Sequence, residues 1–304
     1  MMTSGVQVSA SERRSEGVLK ARPVELEDWL NRSIYHPLSR RIALALQHTP
    51  VTPNMISITS GLSIVAATAC YTLVEGPLGI ALGLFFHVLW HVIDGADGDL
   101  ARLTGKSSPV GEMIDGLCDY VGHIILYTAL AFHAGGWAWW AAAFAAASRI
   151  LQANHIESVR RTYLWRAYGV PWLRQSKSGV AARRSVAAIL LAPVAAVYVG
   201  LAGLLIPRSA QADALVERLE AAPATREQAR SVSRQVGRRA LAWQVPLGAN
   251  LRTLFLGASM ALGSPGWFFL FEATALNVLL AASIVRQRRV NKDLTQALEQ
   301  VAGR

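Results

Sequence analysis

The stretch most able to do chemistry reads Asp94-Gly95-Ala96-Asp97-Gly98-Asp99-Leu100-Ala101-Arg102, followed after eight residues by Gly111 and then by Asp115 and Asp119. On a helix, Asp94 and Asp97 are three apart and share a face; Asp115 and Asp119 are four apart and share a face of the next helix. A short turn around 106–109 lets the two helices aim these four carboxylates at one point. Four anions so placed need a cation, and all-oxygen ligation suits Mg2+, Mn2+ or Ca2+ better than zinc. A pair of ions about 3.5 to 4 Å apart, bridged by carboxylates, is the common arrangement for phosphoryl chemistry. Arg102 lies about two turns beyond Asp94 on the same side, where a guanidinium can pair with phosphate oxygens. Gly95, Gly98 and Gly111 remove side chains where a flat base or a diphosphate could approach the backbone. Asp99 falls on another face and reads as a structural or solvated residue.

The elements that must position these acids are apolar. Of 304 residues, 52% are hydrophobic and 16% charged, a membrane composition with its charges gathered at the ends and in connections. Long apolar segments at 55–74, 78–93, 114–134, 137–150, 247–262 and 267–285 predict an all-α integral membrane protein of about six transmembrane helices. Gly76-Pro77 and Gly135-Gly136 mark tight turns between them. The second segment is short as pure hydrocarbon, and its polar continuation through Arg102 extends the helix toward a watery or protein-lined site. A seventh segment, 186–206, is interrupted by Pro193. It is expected to re-enter or lie on the surface within a helical insertion at about 186–246, because the arginine-rich run after it belongs in the cytoplasm. Over 210–242, Arg, Glu and apolar residues alternate at helical spacing, the pattern of a solvated helical pair.

At the amino end, 1–22 reads as a polar tail with no secretory signal. Over 23–48, Leu26, Trp29, Leu30, Ile34, Leu38, Ile42 and Leu46 recur at helical spacing among arginines, which predicts an amphipathic helix in the membrane interface. The membrane domain then spans 49–292, with a tail at 293–304. The basic bias of the loops places Asp94 to Asp119, and the arginines after Arg149, on the cytoplasmic side. Two cysteines, Cys70 and Cys118, cannot supply a disulfide framework or a thiolate cage. The formal charge of +10 is read as positive-inside loops facing anionic headgroups, not as a nucleic-acid surface, since no binding module is present.

At the acidic residues the sequence resembles the CDP-alcohol phosphotransferase (CDP-alcohol phosphatidyltransferase) family. Its pattern is Asp, two residues, Asp-Gly, two residues, Ala-Arg, about eight residues, Gly, three residues, Asp, three residues, Asp. Every fixed position is met, and Pro53-Asn54 before the first span matches a further feature of that family. The resemblance implies a homodimer of about six spans per chain, with its polar site opening to the cytoplasm of what reads as a bacterial inner membrane. It implies Asp94, Asp97, Asp115 and Asp119 as holders of Mg2+ or Mn2+, two ions in all, with Asp119 also the general base. Asp94, Gly98, Ala101, Arg102 and Gly111 would meet the cytidine diphosphate. The reaction implied is transfer of a substituted phosphate from a CDP-linked donor to an alcohol acceptor with release of CMP, in phospholipid biosynthesis.

The donor stays open between CDP-diacylglycerol and a CDP-linked headgroup: 107–119 resembles the headgroup branch and Tyr120 stands where CDP-diacylglycerol branches more often have Arg, whereas general prevalence in an alanine- and arginine-rich chain that looks bacterial leans toward CDP-diacylglycerol. An acceptor pocket is expected near Arg149 and His155, joined by Arg252, whereas the loop arginines need no function beyond topology. His87, His91 and His123 read as satisfied packing residues. The rival from another class is a membrane cation transporter or metal-binding membrane protein. Its acids would be expected near the midplane of broken helices, not at a cytoplasmic helix end beside a phosphate-suited Arg.

Overall fold

The computed structural model describes residues 23–170 and 209–303. Those residues are helical, without a strand. The tail expected over 1–22, the apolar segment 186–206 and the loop arginines between 171 and 208 lie outside the described residues.

Contacts divide the chain into two units. The first, Glu27–Ile150 with Leu247–Asn277, carries the acidic motif. Its helices are α1 (His36–Leu46), α2 (Pro53–Leu73), α3 (Gly76–Thr104), α4 (Pro109–Ala134), the amino-terminal half of α5 (Ala138–Tyr168), and, after the second unit's segment, α8 (Ala249–Ala261) and α9 (Gly266–Ala273). Local signals set the boundaries. The Thr52 side chain accepts from the Met55 N–H at 3.3 Å, and Pro53 follows, where a missing N–H costs nothing. At the other end of the site, α3 stops at Gly105, whose φ of +66° is a left-handed cap, and α4 begins where Ser108 Oγ accepts from the Gly111 N–H at 3.0 Å. The acid-bearing helices are thus joined by a short turn capped on both sides.

Small residues bring the helices together. A Cβ on Gly83 would sit 2.4 Å from the Tyr71 ring, fixing α3 close on α2. One on Gly122 would meet Ile64 at 3.0 Å, and one on Gly61 would meet Cys118 Cβ at 3.2 Å, fixing α4 on the same helix. α2 is therefore the shared platform for both acid-bearing helices. Behind it a core of Ile64, Tyr71, Trp90, Leu126, Tyr127 and Phe269 is buried, while Leu62, Phe85, Ile124 and Phe132 remain exposed on the outer face. That flank suits hydrocarbon.

Among the described residues, four helices are long and apolar enough to cross a membrane: Pro53–Leu73, Gly76–Thr104, Val110–Ala134 and Gly266–Ala302. Of the other segments expected to span, 137–150 is continuous with a longer helix that becomes polar from Arg149, and 247–262 forms the 13-residue α8. Thirteen residues rise about 20 Å, short of a hydrocarbon core of about 30 Å. In the amphipathic stretch 23–48, Val24–Leu26 form a 3-10 turn, after which the backbone is helical from 29 to 46: Asp28 Oδ1 accepts from the Asn31 N–H at 2.9 Å, Asn31–Tyr35 widen to a π turn just before Pro37, which has no N–H for the ladder, and α1 continues without a break.

The second unit contains, among its described residues, the remainder of α5, α6 (Ala210–Ala221), α7 (Pro223–Leu241) and most of α10 (Ala275–Ala302). The helical pair expected over 210–242 is present, but it is not merely solvated: Val216, Leu219, Ala229 and Val236 are buried with Val159, Leu294 and Leu298. Buried Arg166 bonds Asp213 at 2.6 Å and Asn291 at 2.8 Å. The amino-terminal turn is held by Tyr163 and Tyr168, which donate to Glu25. Burial alone would raise the Glu25 carboxyl, but these two hydrogen bonds bring it below its ordinary value.

Candidate active site

Buried Asp97 receives a hydrogen bond from the Ser57 hydroxyl of α2 and lies near enough to Asp115 on α4 for the two carboxyl groups to interact. Asp119, one turn further along α4, is half-buried, and its Oδ1 accepts from Trp90 Nε1 at 2.9 Å. Asp94 is half-buried on the same helix as Asp97. The spacing suggested four carboxylates aimed at one point; the bonds described tie Asp97 to Ser57 and Asp119 to Trp90. Among the described residues no group of three or more His, Cys, Asp or Glu side chains is arranged to hold a metal ion.

The donor set nevertheless fits a hard cation. Two carboxylates this close repel one another, and a cation lodged between Asp97 and Asp115 would offset that repulsion. Oxygen-only donors half-buried at a helix end are what Mg2+ or Mn2+ would take.

The glycines divide by role. Gly95 does not face an open cleft: a Cβ there would lie 2.7 Å from Ser39 Oγ, which itself donates to the Val92 carbonyl at 2.7 Å, so this glycine seats α1 on α3. Gly98 lies beneath Arg102, whose Nη1 would be 3.3 Å from an added Cβ. Arg102 pairs with Asp99, so Asp99 has a structural partner and is not simply solvated. Gly111 faces Asn54 Oδ1, 3.4 Å from an added Cβ, which brings the Pro53-Asn54 pair beside the motif. Ala101 is half-buried on α3 between these residues.

A second cluster adjoins Asp119. Arg149 Nη2 lies 2.8 Å from His123 Nε2, and a guanidinium can only donate. His123 must therefore carry its hydrogen on Nδ1, from which it donates to the Asp119 carbonyl at 2.8 Å. Arg149 also approaches Glu272 at 3.6 Å, and fully buried Glu272 accepts from Arg252 and Tyr127. Arg252 further donates to the Leu247 carbonyl at 3.1 Å. Two guanidiniums against one carboxylate leave this cluster cationic beside the acids.

His91 bonds Thr253 Oγ1 at 2.9 Å and stacks on Tyr35, in keeping with a packing residue. His155, expected at the acceptor pocket, belongs to the second unit, where it is buried and bonds Ser283 Oγ at 2.9 Å. Sequence reasoning missed Ser57 and Trp90. Trp90 could have been found: it lies one turn before Asp94, on the acids' face of the helix.

A family model described as CDP-alcohol phosphatidyltransferase matches residues 50–213, more than half the chain and inclusive of all four aspartates. No curated protein matches the chain.

Proposed function

We infer the function of this chain from the fact that it belongs to the CDP-alcohol phosphatidyltransferase family: it is a membrane transferase that moves a substituted phosphate from a CDP-linked donor to an alcohol, releasing CMP. The observation that carries the reading is the contact between Asp97 and Asp115, brought from two helices to one place by α2. Asp94, Asp97, Asp115 and Asp119 would hold Mg2+ or Mn2+, two ions in all, which when bound would neutralise charge on the phosphate oxygens. Asp119 accepts the proton of the acceptor hydroxyl as its oxygen attacks phosphorus, and the bond from phosphorus to the CMP oxygen breaks. Gly98, Ala101, Gly111 and Arg102 form the bed for the cytidine diphosphate. The cationic cluster of Arg149 and Arg252 lies on the acceptor side and suits a phosphorylated or polyhydroxy alcohol.

We place the site on the cytoplasmic face of a bacterial inner membrane. The working architecture is a homodimer of about six spans per chain, counting 137–150 and the short α8 with the four longer helices, with the helical stretch of 23–48 lying in the interface and 186–246 as an insertion. The test is CMP release by purified protein with a panel of donors, CDP-diacylglycerol and CDP-linked headgroups, against candidate alcohols. Release with one donor only names the donor; no release with any donor and alcohol overturns the reading.

Arg102 must exchange Asp99 for the donor. A half-exposed i,i+3 pair is worth about 0 to 1 kcal/mol, whereas a charge-assisted bond to phosphate is worth about 1.5 to 3, so the exchange is favourable. Arg102→Ala is expected to weaken donor binding about tenfold or more, measured by calorimetry in detergent. Normal donor affinity in this variant rules out the phosphate role.

A further inference from the structure

We propose that Trp90 is a positioning residue for Asp119: its indole N–H holds Oδ1 and so commits Oδ2 to the cation and the acceptor hydroxyl. The inference rests on the role just given to Asp119.

Indole is a donor only, and the Trp90 N–H is directed to Asp119 Oδ1 at 2.9 Å. The ring has little freedom to leave. It is 5% exposed, tilted against His91 at 4.3 Å between centroids, edge-on to His123 at 4.9 Å, and 5.7 Å from His87. A carboxylate on a short side chain, with one oxygen bound to a fixed donor, has its plane and its second oxygen fixed as well. The main chain at Asp119 is held independently by the His123 N–H on its carbonyl, so Trp90 governs the carboxylate itself. Trp90 also stands on α3, the helix of Asp94 and Asp97, while Asp119 stands on α4. The bond therefore registers the carboxylate of one acid-bearing helix against the other.

The test is a double-mutant cycle on full-length protein in detergent, with Trp90→Phe, Asp119→Asn and the double variant. Two quantities are read: CMP release, and binding of Mg2+ alone by calorimetry. Phe keeps the ring stacked and removes the N–H. Expected for Trp90→Phe are a kcat about tenfold lower, a donor KM within about twofold, and Mg2+ binding weakened several-fold. In the Asp119→Asn background the same change should alter kcat by less than about twofold, because a residue that acts only through Asp119 has nothing left to position. Losses that multiply instead would show that Trp90 acts by packing, and unchanged kcat and Mg2+ binding would show that the bond positions nothing. A near-normal Asp119→Asn alone would remove the underlying role of Asp119, which is a different failure. If Trp90→Phe does not fold, benzothienylalanine at position 90, isosteric but without the N–H, carries the same test.

Discussion

Asp119→Asn is expected to lower the single-turnover rate at saturating donor by roughly 100-fold or more while changing donor affinity much less. The acceptor hydroxyl is a poor nucleophile at neutral pH, and its proton must move to a group within hydrogen-bonding reach as the oxygen attacks. An amide of the same size cannot take that proton as a carboxylate does, and it is a weaker ligand for a hard cation. Asparagine can still accept from Trp90 through its carbonyl oxygen, so the surrounding packing of His91, His123 and Trp90 is retained and the loss reads chemistry, not collapse. Single-turnover measurement separates this from product release. A rate within a few-fold of the unsubstituted protein would mean that the proton goes elsewhere, and Asp119 would lose its assignment as base.

Removal of divalent metal should have the larger effect, reducing CMP release below detection. Asp97 and Asp115 in contact, with Asp94 and Asp119 on the same two helices, make an anionic site whose charges repel one another and would repel an incoming diphosphate. Among the described residues at the site, Arg102 pairs with Asp99 and Arg149 faces His123 and Glu272, so neither guanidinium is bonded to Asp97 or Asp115. Protein treated with excess EDTA and desalted should be silent and should recover with Mg2+ or Mn2+. Undiminished CMP release after metal removal verified by elemental analysis would end the assignment of the aspartates as metal holders, and with it the best account of why they are there.

Much of the site's scaffolding was legible in the residues. The short turn expected around 106–109 does separate the two acid-bearing helices, Gly135 and Gly136 form a turn with positive φ, and the polar continuation past Ile93 is an unbroken helix to Thr104. These are local signals, set by capping bonds and backbone sterics within a few residues. What could not be read was tertiary. Nothing local distinguishes Ser57 from Ser60 or Ser63 on α2, yet only the packing of Gly83 on Tyr71 and Gly122 on Ile64 decides which serine meets Asp97. Gly95 looked like room for a ligand, because a missing side chain reads the same whether a substrate or Ser39 fills the space. Over 29–46 the helix does run on, but the π turn at Asn31–Tyr35 and the 3-10 turn at Val24–Leu26 could not be read, because apolar periodicity survives a one-residue widening that shifts the register only slightly.

The position of α2 bears on how portable this chemistry is. The fixed acids, glycines and arginine occupy one contiguous run from Asp94 to Asp119, which invites treating that run as a cassette. It is not one. Asp97 takes its hydroxyl partner from α2, and α3 and α4 each find their spacing by seating glycines or small contacts on that same helix. A hairpin of 94–119 grafted onto a foreign helical pair would carry every signature residue and still lack the third rail that sets the gauge between its two carboxylate rows. Any transplant must therefore carry α2 from its cap at Thr52, and α1 with it, since Ser39 of α1 packs against Gly95 of α3.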